Sequence, residues 1–181
     1  MDKSFFKNYY TILAKAIISI DSNLLIKTAG LIRSTSENKK KIILIGNGGS
    51  ASIASHVAID LTKAAGCRAI TFNEPNLLTC FANDYGYENW VKNALDFYAD
   101  KGDLAILISS SGSSLNIING AGKARELGMS VITLSGFSNN NQLRKLGDIN
   151  LYVESNSYNI VEMTHHIWLV SIVDYIVGKI E

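Results

Sequence analysis

Two kinds of hydrophobic pattern alternate along the chain. Short runs rich in β-branched and apolar residues predict strands, and the segments between them repeat an apolar residue every three or four positions, which predicts helices. Strands that alternate with helices in this way predict a doubly wound α/β sheet. The strand runs are KKKIILIG (39–46), CRAITF (67–72), DLAILIS (103–109), SVITLSG (130–136) and DINLYVES (148–155).

Helical segments frame the predicted sheet at both ends. Residues 3–36 predict one or two helices, and the polar cluster at 21–23 is suited to end the first helix and cap the second. A turn is expected at 83–86, followed by a helix, because asparagine, aspartate and glycine cluster there. A last helix is expected over 158–178.

Nothing in the composition divides the chain into separate parts. Pro75 is the only proline, and no Pro/Ser-rich linker or low-complexity tract is present. We therefore expect a single domain over residues 1–181. It consists of an N-terminal helical segment (1–36) and an α/β core (37–181).

Composition and charge exclude several classes of function. Hydrophobic residues make up 47% of the 181 residues and charged residues 18%, which is typical of a globular domain. The net charge of +1 gives no electrostatic reason to expect a nucleic acid or an acidic membrane as a partner. We find no signal peptide, and no apolar stretch approaches the roughly 18 residues of a membrane span. Cys67 and Cys80 have no metal-type spacing, so we expect free thiols and a cytoplasmic protein.

Two strand-to-helix junctions carry residues suited to binding phosphate. GNGGS (46–50) is rich in glycine, which lets backbone N–H groups approach an anion at the positive end of the next helix. SSSGSS (109–114) offers five hydroxyl groups at the second junction, more than an N-cap requires. The alternatives are an ordinary tight turn at the first junction and a solvated, capped loop at the second. In open α/β sheets, ligands bind beyond the carboxyl ends of the strands, where both loops are expected.

The ionisable residues form two groups on different helices. His56 and Asp60 are four residues apart and share a helix face, as do Glu162 and His166. His165 lies three residues after Glu162. Such carboxylate–imidazole pairs are suited to hold a divalent metal ion or to do acid/base work. The alternative is that these histidines are ordinary hydrogen-bonded residues of the core or the surface.

Four motifs together resemble a known family. GNGGSASIASH, FANDYGYE, ISSSGSSLNII and IVEMTHHIW are similar, in order and spacing, to motifs of the sugar isomerase (SIS) domain proteins, and most similar to the phosphoheptose isomerases. The resemblance covers almost the whole chain. It implies five parallel strands and a homotetramer with active sites between subunits, packed through the N-terminal helices. It also implies conversion of sedoheptulose 7-phosphate to D-glycero-D-manno-heptose 7-phosphate for lipopolysaccharide or capsule, with one zinc ion per subunit.

The same resemblance implies the residues of the site. The phosphate-binding positions of the family match Ser109, Ser110, Ser111 and Ser114. Its glycine-loop contacts match Asn47, Gly48, Gly49 and Ser50. The pair that faces the sugar matches Asn83 and Asp84. The first metal-binding histidine of the family matches His56.

The chain departs from the family pattern at the residues nearest the chemistry. Asp60 stands in place of the catalytic glutamate, and Glu162 in place of a glutamine that touches the metal and the substrate. Val170 occupies the position of the zinc-binding, proton-carrying histidine. His166 is additional and lies one helical turn before Val170, so we expect it to act as metal ligand or proton carrier. This hypothesis makes Asp60, Glu162 and His166 catalytic, and makes the metal set these three residues with His56.

Asn159 also departs from the pattern, because the family has an aspartate of the substrate site there. These departures leave two alternatives to the enzyme. One is a non-catalytic SIS protein that binds a phosphosugar or the replication initiator in a regulatory role. The other is a phosphosugar-sensing domain of the kind fused to transcription regulators, and the absence of a DNA-binding extension argues against it.

Overall fold

The computed structural model of the chain describes residues 4–179. In that part, strands and helices alternate after two N-terminal helices. The strands are β1 (Lys41–Gly46), β2 (Arg68–Thr71), β3 (Leu104–Ser109), β4 (Ser130–Ser135) and β5 (Ile149–Tyr152). The helices are α1 (Phe5–Ile18), α2 (Ser22–Glu37), α3 (Gly49–Lys63), α4 (Pro75–Tyr85), α5 (Trp90–Tyr98), α6 (Leu115–Glu126) and α7 (Tyr158–Val177). The predicted α/β fold is confirmed.

The five strands form one parallel sheet in the order β2-β1-β3-β4-β5. The chain moves outward in one direction from β1 to β2 and in the other direction from β3 to β5. This reversal leaves a crevice between the carboxyl ends of β1 and β3, where ligands bind in such sheets. Gly46 is paired with Ile108 across these strands, so the two loops that follow emerge side by side.

The core has two layers, one on each face of the sheet. Along β1, Ile42 and Leu44 belong to one buried cluster, whereas Ile43 and Ile45 belong to the other. Helices α2, α3 and α7 cover the first face, and α5 and α6 cover the second. Because every strand residue of β3 is buried, its near-continuous apolar run matches the pattern of a central parallel strand.

The N-terminal helices are joined by the polar cluster that the sequence predicts. The side chain of Asp21 accepts a hydrogen bond from the backbone N–H of Asn23 at 2.9 Å and so caps α2. Helix α1 packs on α7, where the indole N–H of Trp168 donates to the carbonyl of Ile17 at 2.8 Å. Several side chains of α1, including Phe6 and Tyr10, are exposed in the single chain.

The region before the first 3-10 helix (Tyr87–Asn89) corrects the sequence prediction. We expected a turn at 83–86, but helix α4 runs from Pro75 to Tyr85 and ends at Gly86, whose φ is +84°. Proline at the first helical position and the carboxylate of Glu74, which accepts from the N–H of Leu77 at 2.9 Å, start this helix. Asn83 and Asp84 therefore lie on the last turn of a helix and not in a loop.

Helix α7 is more apolar than we expected of any segment from the sequence. It has 20 residues, and an 18-residue window within it has a mean hydropathy of 1.3, so by length and composition alone it is the one described helix that is able to cross a membrane. Its buried residues pack against α1, α2 and α3, and they include the polar side chains of Thr164 and His165. An apolar helix surrounded by other helices is typical of a protein core, which makes the membrane interpretation weak.

Candidate active site

A small polar cavity lies at the crevice between β1 and β3. It has a volume of about 90 Å³. The first turns of three helices, α3, α6 and α7, contribute to its walls. Its lining residues are Asn47, Ser50, Ile108, Ser109, Ser110, Ser111, Ser114, Tyr158 and Glu162. Since typical ligand pockets have volumes of about 300–1,000 Å³, the cavity suits a phosphate group and not a whole sugar phosphate.

Glycines fix the shape of the first loop. A Cβ atom at Gly46 would lie 2.5 Å from the carbonyl oxygen of Ser50, so only glycine permits the sharp entry into α3. Gly48 has a φ of +53°, a conformation that favours glycine. A Cβ at Gly49 would lie 2.2 Å from a carboxylate oxygen of Glu162. The missing side chain at Gly49 therefore lets Glu162 approach the N-terminus of α3.

Serine side chains line the second loop as predicted. Ser109 and Ser110 are each only 5% exposed. The hydroxyl of Ser109 donates to the hydroxyl of Ser114 at 3.1 Å, and that of Ser110 donates to Glu162 at 3.4 Å. Ser114 is the N-cap residue of α6, but its hydroxyl makes no capping bond. The Ser114 hydroxyl, which donates no capping bond, is therefore placed to meet an anion at the positive end of α6.

The predicted phosphate-binding residues come together, and the predicted sugar-facing pair does not join them. Asn83 and Asp84 are exposed on α4, where the amide of Asn83 donates to the carboxylate of Asp84 at 2.9 Å. Neither residue lines the cavity. The role expected for this pair stays a prediction.

Sequence reasoning missed Ile108 and Tyr158 in the cavity wall. Ile108 belongs to the buried run of β3 and carries no chemical signal. Tyr158 is the first residue of α7. The sequence could have indicated that Tyr158 lies near the cavity, because the helix that follows the last strand of a parallel sheet also begins at the carboxyl edge.

His56, Asp60 and His166 lie in close contact across α3 and α7. The carboxylate of Asp60 lies 3.1 Å from Nε2 of His56, and Nδ1 of His56 lies 2.8 Å from Nε2 of His166. The side chains of His56 and Asp60 are 53% and 37% exposed. Desolvation, followed by the charge of His56, lowers the pKa of His166, which favours its neutral form. The hypothesis that His166 joins the first histidine of the site agrees with this geometry.

His165 has a different environment from its neighbour. It is fully buried, and its Nε2 lies 3.2 Å from the carbonyl oxygen of Ser135. Among the described residues, nothing hydrogen-bonds its Nδ1. Burial lowers the pKa of His165 to about 4, so this imidazole is neutral at physiological pH. His165 is therefore a core residue and takes no part in the His56–His166 contact.

The residues of one chain do not form a complete zinc site. Within residues 4–179, no group of three His, Cys, Asp or Glu side chains is arranged to hold a metal ion. A catalytic zinc usually has three protein ligands. Here two imidazole nitrogens face each other, Asp60 contacts the remote nitrogen of His56, and Glu162 contacts Ser110. Zinc stays a prediction, and we derive no chemical step through it.

Comparison with known proteins identifies the family of this site. The SIS domain family matches residues 4–136. The phosphoheptose isomerase of Aliarcobacter butzleri (strain RM4018) is 39% identical over 145 residues, which cover 77% of this chain and 76% of the relative. The chain belongs to the phosphoheptose isomerase family of SIS domain proteins. The resemblance inferred from the four sequence motifs is thereby confirmed.

Two further relatives of the phosphoheptose isomerase family support the assignment over nearly the whole chain. The phosphoheptose isomerase of Helicobacter pylori (strain P12) is 35% identical over 159 residues, covering 84% of this chain and 82% of the relative. The structure of phosphoheptose isomerase GmhA from Neisseria gonorrhoeae matches with a TM-score of 0.88 and 26% identity, covering 97% of this chain and 98% of that one. The family fold therefore includes the N-terminal helices.

Proposed function

We propose that this protein is a phosphoheptose isomerase, which interconverts sedoheptulose 7-phosphate and D-glycero-D-manno-heptose 7-phosphate. The observation that carries the proposal is the pairing of two features on α3 and α7. Glu162 lines the phosphate-sized cavity, and His166, one helical turn further along α7, contacts His56. A heptose phosphate has its phosphate at one end and its reacting carbons at the other, which suits this arrangement.

The cavity supports phosphate binding through neutral donors. The hydroxyl groups of Ser109, Ser110 and Ser114 line it, and α3 and α6 begin beside it. Helix N-termini and hydroxyl groups bind phosphate without a fixed positive charge, because the helix dipole supplies the favourable potential. No lysine or arginine is among the described residues that line this cavity.

The contacts among Asp60, His56 and His166 indicate which ring nitrogen is able to act as the base. The Asp60 carboxylate only accepts hydrogen bonds, so Nε2 of His56 carries its proton. Nδ1 of His56 is then an acceptor, and it receives the N–H of His166 Nε2. Nδ1 of His166 is left unprotonated. We assign this nitrogen as the base, with Asp60 and His56 holding it in the reactive tautomer.

The isomerisation needs one proton to move between neighbouring carbons. Nδ1 of His166 takes the proton from C1 of the ketose, and the C–H electron pair forms the C1–C2 double bond of an enediolate with its negative charge on the C2 oxygen. The hydroxyl proton on O1 then passes to that oxygen, the O1 electron pair forms the C1–O double bond, and C2 takes the first proton back from His166, which gives the aldose. The positive charge that His166 gains is stabilised through His56 by the carboxylate of Asp60.

We further propose that the site is completed by a neighbouring subunit in a cytoplasmic homotetramer. The cavity of one chain accommodates only the phosphate end of the substrate, and the side chain of His56 is 53% exposed. Typical ligand pockets have several times this volume. A second subunit that covers the open face would enclose the sugar and exclude water from the enediol.

The proposal is tested by incubating the purified protein with sedoheptulose 7-phosphate in D2O and following the products by NMR. We expect an aldoheptose 7-phosphate that carries deuterium at C2, because the proton passes through an exchanging imidazole. Turnover and metal content are measured on the same sample, with and without a chelator. A folded protein that binds the ketose phosphate and forms no aldose contradicts the proposal.

Serine variants test the phosphate end separately. We expect Ser114→Ala to lower kcat/KM by about tenfold, since its hydroxyl lines the cavity. Ser130→Ala is the matched control, because Ser130 begins β4 at the opposite edge of the sheet. Equal losses in the two variants would show that the cavity does not bind the substrate phosphate.

A further inference from the structure

The amide of Asn47 is held by two side chains outside the glycine loop. Its Nδ2 donates to Oδ1 of Asn116 at 3.0 Å, and Nδ2 of Asn116 donates back to Oδ1 of Asn47 at 2.9 Å. The hydroxyl of Tyr87 donates to the same Oδ1 of Asn47 at 3.1 Å. Asn116 is only 2% exposed, so this reciprocal amide pair is shielded from water.

Counting donors and acceptors leaves Asn47 with one unused group. A side-chain amide has two acceptor sites on its oxygen and two hydrogens on its nitrogen. Asn116 and Tyr87 occupy both acceptor sites of Asn47, and Asn116 receives one of its hydrogens. The second hydrogen of Nδ2 remains, on a residue that lines the phosphate cavity. Asn47 is thus able to act toward a ligand only as a donor.

We infer that Asn116 and Tyr87 are positioning residues that fix the Asn47 amide with its N–H toward a ligand oxygen. If the amide were turned over, its carbonyl oxygen would face the cavity and repel a phosphate. The network therefore determines that the ligand meets the N–H donor of Asn47 and not its carbonyl acceptor. This inference rests on the proposed function for the identity of the full substrate, although it applies to any phosphate bound in the cavity.

The same network connects three segments of the site. Asn116 is in the first turn of α6, directly after the serine loop, and Asn47 is in the glycine loop. Tyr87 begins the 3-10 helix that follows α4, and this helix is tied to α6 because Nδ2 of Asn119 donates to the carbonyl of Glu88 at 2.8 Å. The position of Tyr87 is therefore supported by the packing of the 3-10 helix on α6, which needs no bound ligand.

Two variants test the inference by titration with inorganic phosphate and by the kinetics of sedoheptulose 7-phosphate. Asn116→Asp keeps the side-chain shape but has no N–H to donate, so the Asn47 carbonyl loses one of its two donors and faces a carboxylate oxygen instead. We expect phosphate affinity to fall about tenfold, and KM to rise while kcat changes little. Tyr87→Phe, at a half-exposed residue, should lower affinity by about threefold. Tyr98→Phe, at the far end of α5, is the control.

A double-mutant cycle decides whether these residues act through Asn47. In an Asn47→Ala background, we expect neither Asn116→Asp nor Tyr87→Phe to weaken phosphate binding further. Equal losses in both backgrounds overturn the inference, because they indicate a charge or folding effect. If Asn116→Asp does not fold, the comparison of Tyr87→Phe in the two backgrounds still decides the question. Phosphate titration is readable without turnover, so failure of the isomerase proposal is distinguishable from failure of this inference.

Discussion

At the scale of single residues, the carboxylate of Glu162 changes the character of the phosphate cavity. Its oxygen atoms lie beside Gly49 and the hydroxyl of Ser110, where the resemblance implies a neutral glutamine. A carboxylate in this position repels a phosphate dianion, although it is able to accept hydrogen bonds from sugar hydroxyl groups.

We therefore expect Glu162→Gln to bind inorganic phosphate about fivefold more tightly than the unmodified protein. Two like charges a few ångströms apart in a hydrated site cost about 1 kcal/mol, which corresponds to that factor. Isothermal titration measures the effect. Glu37→Gln is the matched control, since Glu37 ends α2 at the opposite edge of the sheet and should leave affinity unchanged. Weaker binding by Glu162→Gln would show that its carboxyl group donates to or orders the phosphate site.

His165 gives the folded state a dependence on acid. Its pKa is about 4 in the folded protein and about 6.5 in an unfolded chain, so the unfolded state binds more protons between these values. The free energy of unfolding should then fall as pH decreases from about 6.5 to about 4, by about 3 kcal/mol at most. Above this window the contribution is fully present.

Urea unfolding at several pH values checks this expectation. His165→Gln removes the titrating group, and it should flatten the pH dependence between 4 and 6.5 relative to the unmodified protein. Asn38→Gln, at an exposed residue that carries no titrating group, is the control and should retain the slope. An unchanged slope in His165→Gln would mean that another group controls acid unfolding.

The single-residue features of the site were only partly predictable. Helical spacing is enough to pair His56 with Asp60, because residues four apart share one face. The contact between His56 and His166 joins α3 to α7, and sequence spacing has no information about the distance between two helices. The same holds for Asn47 and Asn116, which are 69 positions apart.

At the scale of elements, the strands were predictable and one helix was not. The runs of β1, β3 and β4 are largely apolar because both faces of the sheet are covered there, and runs this short, bounded by glycine and polar residues, are typical of buried parallel strands. Helix α4 contains no fully buried residue, so its apolar pattern is weak. Its start signal, Glu74 followed by Pro75, is the feature by which the sequence indicates it.

The start of α3 is the element on which the phosphate cavity depends most. We expect Gly46→Ala to destabilise the protein by about 1–3 kcal/mol and to abolish phosphate binding, because the new methyl group would overlap the backbone of Ser50. Gly30→Ala is the matched control. Nothing lies within 4 Å of a Cβ at Gly30 in α2, so that variant should gain about 0.5–1 kcal/mol.

Thermal unfolding and phosphate titration measure both glycine variants. The prediction requires opposite signs for the two changes in stability. If Gly46→Ala is as stable as the unmodified protein and binds phosphate, the close approach between Gly46 and Ser50 does not determine the start of α3.

At the scale of the whole molecule, the strand order explains why the site lies between α3, α6 and α7. The reversal of direction between β1 and β3 opens the crevice, and the parallel arrangement brings three helix N-termini to the same edge. The strand order itself was not predictable from periodicity. The resemblance to the SIS domain proteins implied only the number of strands and their parallel direction.

The aromatic face of α1 leads to a prediction about assembly. Phe6 and Tyr10 are 65% and 62% exposed in the single chain, and exposed aromatic clusters of this kind are typical of subunit interfaces. We expect the protein to have about four times the 19.7 kDa mass of one chain in light scattering. Phe6→Lys should reduce that mass, whereas Lys7→Gln on the same helix should not. A Phe6→Lys variant of unchanged mass would exclude α1 from the interface.

The most direct test of the proposed mechanism is the rate of aldoheptose 7-phosphate formation by three proteins. These are the unmodified chain, His166→Ala and the double variant His166→Ala/Val170→His, each checked for folding by circular dichroism. We predict that His166→Ala lowers kcat by about 10²–10⁴-fold, as expected for loss of a general base. Val170→His, which restores the family histidine one turn away, should recover part of that rate. If His166→Ala forms the aldose as fast as the unmodified protein, His166 is not the base, and the chain from Asp60 through His56 does not carry the reaction.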